Sequence, residues 1–251
     1  MIDLFDEASE DLASCGYETV DLRRFGATCS KLFVDSAGKA KKLGFGRGHY
    51  FILNAPKLSY LMDEHRDFLV EQVRQRIDFL FKENKIKKSS RILLVGIGNP
   101  SIIPDSFGTR VVEKIEIMPF KKNNRLIKLM PNIFANTGMK AYDVIHLVVA
   151  AYDIDAVILF DSLATKNLAR LGKSIQFNDA GLTPGSAMNN FGLPINKGVL
   201  GVPCLCVGVP MMISSSVFDK KNEEIVLTEK DAEEKVEFLA GLIAQVMDEI
   251  L

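Results

Sequence analysis

Histidine and cysteine are scarce in this 251-residue chain, and what there is does not assemble into familiar chemistry. The three histidines, His49, His65 and His146, form no HxxxH-type pattern, so no metalloprotease helix can be read from them. Cysteines at 15, 29, 204 and 206 offer neither a disulfide framework nor paired CxxC zinc spacing. Cys204 and Cys206 fall two apart in an apolar run, where a strand turns both to one face and buries them as small hydrophobes. Long hydrophobic runs are missing too. Ala156 to Phe160 and Cys204 to Val209 fall far short of the roughly 20 residues that a bilayer-spanning helix needs. A net charge of -1, from 31 basic and 32 acidic residues, gives no overall attraction to nucleic acid or to an anionic membrane. The acidic start MIDLFDEASEDLASCG has no basic and then apolar leader, so a cytoplasmic location is expected. There is no internal repeat and no Pro/Ser-rich linker, and the polar stretch from Asp219 to Glu224 reads as a surface turn.

A hydrophobic content of 47% is enough to bury one sizeable core, which sets the expectation of one main domain over residues 1–251. The first sixty residues alternate short mixed runs with glycine-containing connectors, the pattern of a small β-rich region. From Met62 to Asn84, Phe68, Leu69, Val73, Ile77, Leu80 and Phe81 recur at helical spacing between charges. Short apolar runs follow at Ile92 to Val95, Leu126 to Met130, Ala156 to Phe160 and Cys204 to Val209, and these read as buried parallel strands. Between them, Gly138 to Tyr152 and Leu163 to Leu171 are predicted helices. The tail from Glu229 stripes Val236, Leu239, Ala240, Ile243, Val246, Met247 and Ile250 on one face, with Thr228 as a candidate N-cap. The alternation predicts a three-layer α/β fold with a mostly parallel sheet covered by helices on both faces.

In such sheets ligands bind beyond the carboxyl ends of the strands, so the residues after each apolar run carry the information. Three segments stand out. Gly96 to Pro100 leads through Ile103-Pro104-Asp105 to Gly108, where Asp105 opens a helix and has a plain reading as its cap. Asp161 stands at the exit of the most hydrophobic run, where a carboxylate must cap the next helix, pair or act. Gln176 to Gly181, running on to Pro184-Gly185-Ser186 and Asn190, is a turn-rich stretch around Asp179, too long for a simple reversal. A dinucleotide-binding reading of Gly96-x-Gly98 fails at Ser101, where the third glycine belongs.

Taken in order, these segments resemble the germination protease family, which degrades small acid-soluble proteins when bacterial spores germinate. Val95 to Gly108 is similar to its GxGN and PDxxG stretch, and Asp161 to Ala164 to its DxLA. Ser174 to Ser186 is similar to TIQxxDxGxxPGS, Leu200 to Pro210 to LGVPxxxxGVP, and Asp3-Leu4 with Glu7-Ala8 to a mature family N-terminus. The resemblance implies an endopeptidase with Asp105 and Asp179 as its catalytic pair. It further implies Asp161, Asn99, Gly98, Gly181 and Ser186 in support, no cofactor or metal, a protein substrate and a homo-oligomer. Two carboxylates sharing one site cannot both ionise easily, so one would hold a proton while the other acts as base.

The chain also departs from the pattern. Pro131 to Ala141 lacks the acidic residue and two glycines of the family's PGxxGxTGxET, and Ala187 and Asn189 replace glycines beside the Asp179 motif. A start near the mature end gives no expectation of a removable pro-segment. Two rival readings stand beside the aspartate pair. One is an endopeptidase similar to hydrogenase maturation proteases, which recognise a bound nickel partly through histidine; against it, no histidine lies near Asp161 or Asp179 in the sequence. The other is a catalytically silent binding protein of the same fold.

Overall fold

The computed structural model describes residues 4–8, 12–57, 62–117, 125–185, 193–213 and 228–251. Among the described residues, eight strands form one sheet: β1 (Glu18–Asp21), β2 (Thr28–Val34), β3 (Gly48–Asn54), β4 (Ile92–Gly96), β5 (Leu126–Leu129), β6 (Ala156–Thr165), β7 (Ser174–Asn178) and β8 (Cys204–Ile213). Their order is β1-β2-β3-β7-β8-β6-β4-β5. β5, β4, β6 and β8 run parallel, as their continuous apolar runs predict. From β8 outward through β7, β3, β2 and β1 every pairing is antiparallel, so the β-rich N-terminal region extends the same sheet and the whole is mixed.

The helices are α1 (Phe5–Ala8), α2 (Ala37–Leu43), α3 (Asp63–Glu83), α4 (Phe107–Lys114), α5 (Phe134–Thr137), α6 (Ala141–Ala151), α7 (Lys197–Leu200) and α8 (Ala232–Ile250). Strand alternation divides the core between the two faces. Ala156, Ile158 and Phe160 of β6 join the core beneath α3, α4 and α8, while Val157 and Leu159 join Ile145 and Val149 of α6 on the other side. A third cluster lies over the antiparallel wing, where Leu4 and Phe5 of the N-terminal segment meet Leu32, Val34, Tyr50 and Ile52.

Three local expectations are corrected. Leu163 to Leu171 is not a helix: β6 runs on to Thr165 because β8 keeps pairing with it through Ile213, past a register shift at Leu163/Ala164. Asp161 therefore sits inside a strand rather than at the start of a helix. Gln176 to Asn178 is strand rather than turn, because β7 fills the slot between β3 and β8. The tail helix begins at Ala232, and the Thr228 hydroxyl donates to the Met211 carbonyl instead of capping it. Ser186 and the stretch from Asp219 to Glu224 lie outside the described residues.

Candidate active site

The Asp105 loop is built by backbone. As β4 ends, the Ile97 N–H donates to the Phe160 carbonyl at 2.9 Å, tying the loop to β6. Gly98 has φ +112°, and a Cβ there would stand 1.9 Å from the Asp105 carbonyl oxygen, so only glycine lets the chain fold back on itself. The Asn99 N–H then donates to Asp105 Oδ2 at 2.7 Å, and Asn99 Oδ1 accepts from Ser101 N–H at 3.0 Å. Asp105 thus clamps the loop rather than capping α4, whose first turn is entered through a 3-10 turn at Ile103–Asp105. That turn lies beside α8, β6 and β8. Burial pushes the Asp105 carboxyl up from the ordinary carboxylate range to about 6, with the Asn99 N–H pulling the other way. Asp161 is the residue after Phe160, buried on β6 and paired with Gly208 of β8.

Asp179 sits in a different setting. It follows β7, and its Oδ1 accepts the His49 N–H at 2.6 Å. Its Oδ2 accepts Asn84 Nδ2 at 2.8 Å and lies 3.1 Å from His49 Nδ1. Asn84 ends α3 and also donates to the Leu80 carbonyl, so the carboxylate ties β7, β3 and α3 together. The His49 ring stacks on Phe33 at 4.3 Å and 11°, with the Phe79 ring edge-on at 5.2 Å. Beyond Asp179, Asn178 Oδ1 accepts the Ala180 and Gly181 N–H groups, and Gly181 turns at φ +92° toward the Leu182–Ile195 bridge.

Gly48 closes this cluster. With φ +152°, a Cβ at Gly48 would lie 2.4 Å from Asp179 Oδ1. Gly48→Ala is therefore expected to displace the carboxylate and lower stability by about 1–3 kcal/mol, read by denaturant unfolding. A change under half a kcal/mol would mean that the contact does not hold Asp179 in place.

The structure does not bring Asp105 and Asp179 into contact. Asn178 pairs with Cys206, Cys206 with Leu159 and Leu159 with Val95, so Asp179 lies level with Leu205, Ile158 and Leu94, whereas Asp105 lies beyond the end of β4. The Asp105 turn packs beside β6 and β8, so one to two strand spacings from β7 and about four residues of rise separate the two by roughly 15 Å. Among the described residues no second carboxylate contributes to the rise at Asp105. Gly98 and Asn99 gather with Asp105 and Gly181 goes with Asp179, while Asp161 stands on β6 where its charge, like that of Asp179, helps to raise the pKa of the buried Cys206 thiol.

His49 is the residue that the sequence did not reveal: it lies 130 positions from Asp179 and is brought there by the β3–β7 pairing. This corrects the expectation that no histidine stands near Asp179. The one available sign was strand alternation in GHYFILN, which puts His49 on the face opposite Tyr50. Among the described residues, no group of three or more His, Cys, Asp or Glu is placed to hold a metal ion. Among the same residues, no helix is long and apolar enough to cross a membrane.

Comparison with known proteins yields one family. A family model described as Germination protease matches residues 7–236. A germination protease of Oceanobacillus iheyensis is 28% identical over 204 residues, 77% of this chain and 55% of the relative. One from Clostridium acetobutylicum is 25% identical over 197 residues, covering 74% and 60%. One from Caldanaerobacter subterraneus subsp. tengcongensis is 32% identical over 193 residues, covering 72% and 58%. The chain thus spans a little over half the length of these relatives.

Proposed function

The chain belongs to the germination protease family, and from that premise we propose that it is an endopeptidase of small acid-soluble spore proteins, acting in the bacterial cytoplasm as a homo-oligomer. The observation that carries this reading is the Asp105 carboxyl, lifted to about 6 in a backbone-clamped loop beyond the carboxyl end of the parallel strand β4. Near neutral pH such a group is mostly ionised yet basic enough to take a proton.

In this reading Asp105 removes a proton from a water, whose oxygen adds to the scissile carbonyl. The proton held on Asp105 then passes to the departing amine as the C–N bond breaks, which returns the carboxylate. Because the two aspartates do not touch, they are given separate tasks rather than one shared proton. Asp179 is required because it fixes His49, Asn84 and the end of the β3–β7 pairing.

Incubation of the purified protein with a small acid-soluble spore protein, followed by mass spectrometry, tests the reading. Specific fragments are expected from the unaltered chain and none from Asp105→Asn. Fragments from both in equal yield would remove Asp105 from the chemistry, and an intact substrate after exposure to the folded protein would remove the peptidase reading itself.

A further inference from the structure

Beside the Asp179 cluster, β1, β2 and β3 face α3 across a groove of about 580 Å³. Val20, Phe33, His49, Phe51 and Phe79 line it. Three of these apolar side chains are open to solvent, with Val20 50%, Phe33 49% and Phe79 38% exposed. Apolar surface gathered in one concavity marks a place where something binds.

The charges around the groove say what kind of occupant fits. Lys31 is paired with Glu18 at 2.8 Å, and Arg76 is spent on Gln72 and Gln75. The Gln partners are neutral, so Arg76 keeps its positive charge on the groove wall, and a basic side chain entering here would lose water and meet repulsion. A neutral aromatic or aliphatic side chain loses nothing of the kind and stacks on exposed rings. One polar group is offered. With Nδ1 turned to Asp179 Oδ2, the His49 ring leaves Nε2 as its remaining hydrogen-bonding atom on the groove wall. The groove also borders β1, an edge strand whose four residues are all exposed, so an extended chain can lie along its open backbone.

We infer that this groove is a specificity subsite for a neutral aromatic or large aliphatic side chain in an extended segment of the protein substrate, walled by Phe33 and Phe79, with His49 Nε2 as its hydrogen-bonding group. Asp179 is then a positioning residue that acts through His49. The inference deepens the peptidase reading and rests on it for the identity of the substrate, but the subsite can be measured without turnover.

The chain contains no tryptophan, so the fluorescence of N-acetyltryptophanamide reports its own binding cleanly. Saturable binding to the unaltered protein and to Asp105→Asn is expected, with affinity about tenfold weaker in Phe33→Ala and in His49→Ala. N-acetyllysinamide is expected not to compete. Phe33 is half exposed, so its truncation spares the fold, whereas His49 is tied to Asp179 through its backbone N–H and its ring. With a cleavable substrate, Phe33→Ala raises KM about tenfold at unchanged kcat, whereas Asp105→Asn loses kcat. Equal binding of the amide by the unaltered protein and Phe33→Ala, or displacement by N-acetyllysinamide, overturns the subsite. Selective binding without any proteolysis leaves the subsite standing and counts against the peptidase reading alone.

Discussion

Asp105→Asn is expected to lose about 10²–10⁴ in kcat and yet to make the protein more stable at neutral pH. The two effects share one cause. Burial lifts the Asp105 carboxyl to about 6, so the folded state binds this proton more tightly than the unfolded chain, whose carboxyl titrates near 4. The stabilisation linked to that proton is complete below about pH 4 and is lost as pH rises through about 6. At pH 7 to 8 the native protein therefore holds an ionised carboxylate that its surroundings disfavour, at a cost of about 1–3 kcal/mol. Asparagine is nearly isosteric and keeps an acceptor for the Asn99 N–H, so it removes the charge without removing the clamp. Urea unfolding should show the variant more stable at pH 7.5, with the gap closing toward pH 4. A variant no more stable at pH 7.5 would mean that the carboxyl is solvated and not poised.

Asp179→Asn is expected to do the opposite. Donors converge on both oxygens of this buried carboxylate, from His49 N–H and Nδ1 and from Asn84 Nδ2. An amide presents one oxygen and one NH₂, so at least one of these donors would face a donor. Hydrogen bonds to a charged group are worth about 1.5–3 kcal/mol each, which puts the loss at about 2–4 kcal/mol. In a protein of this size that lowers Tm by roughly 5–15 °C. Calorimetry of the two Asp→Asn variants side by side should give shifts of opposite sign. Shifts of the same sign would show that the two aspartates do not occupy the contrasting environments described above.

The parallel half of the sheet was legible because strands buried on both faces leave continuous apolar runs, as Ile92 to Val95 and Ala156 to Phe160 do. Helix α3 was legible for the complementary reason, a 3.6-residue apolar stripe between charges. What stayed hidden depended on partners rather than on local pattern. Gln176 and Asn178 made β7 look like a turn, yet β3 and β8 hold it as a buried strand. β6 outran its apolar segment because β8 supplied a continuous partner beyond Asp161. Asp105 was marked in the sequence by its glycine-rich setting and its family motif, whereas its clamp to Asn99 follows from the positive φ at Gly98. The surroundings of Asp179 could not be read at all, since His49 and Asn84 reach it only through strand pairing and helix placement.

The measurement that bears most directly on the central claim is the pH dependence of kcat for cleavage of a small acid-soluble spore protein. If Asp105 is the base, kcat rises with pH through an inflection near 6 while conformational stability falls over the same range. A kcat that is flat between pH 5 and 7, or that falls, would contradict the assignment.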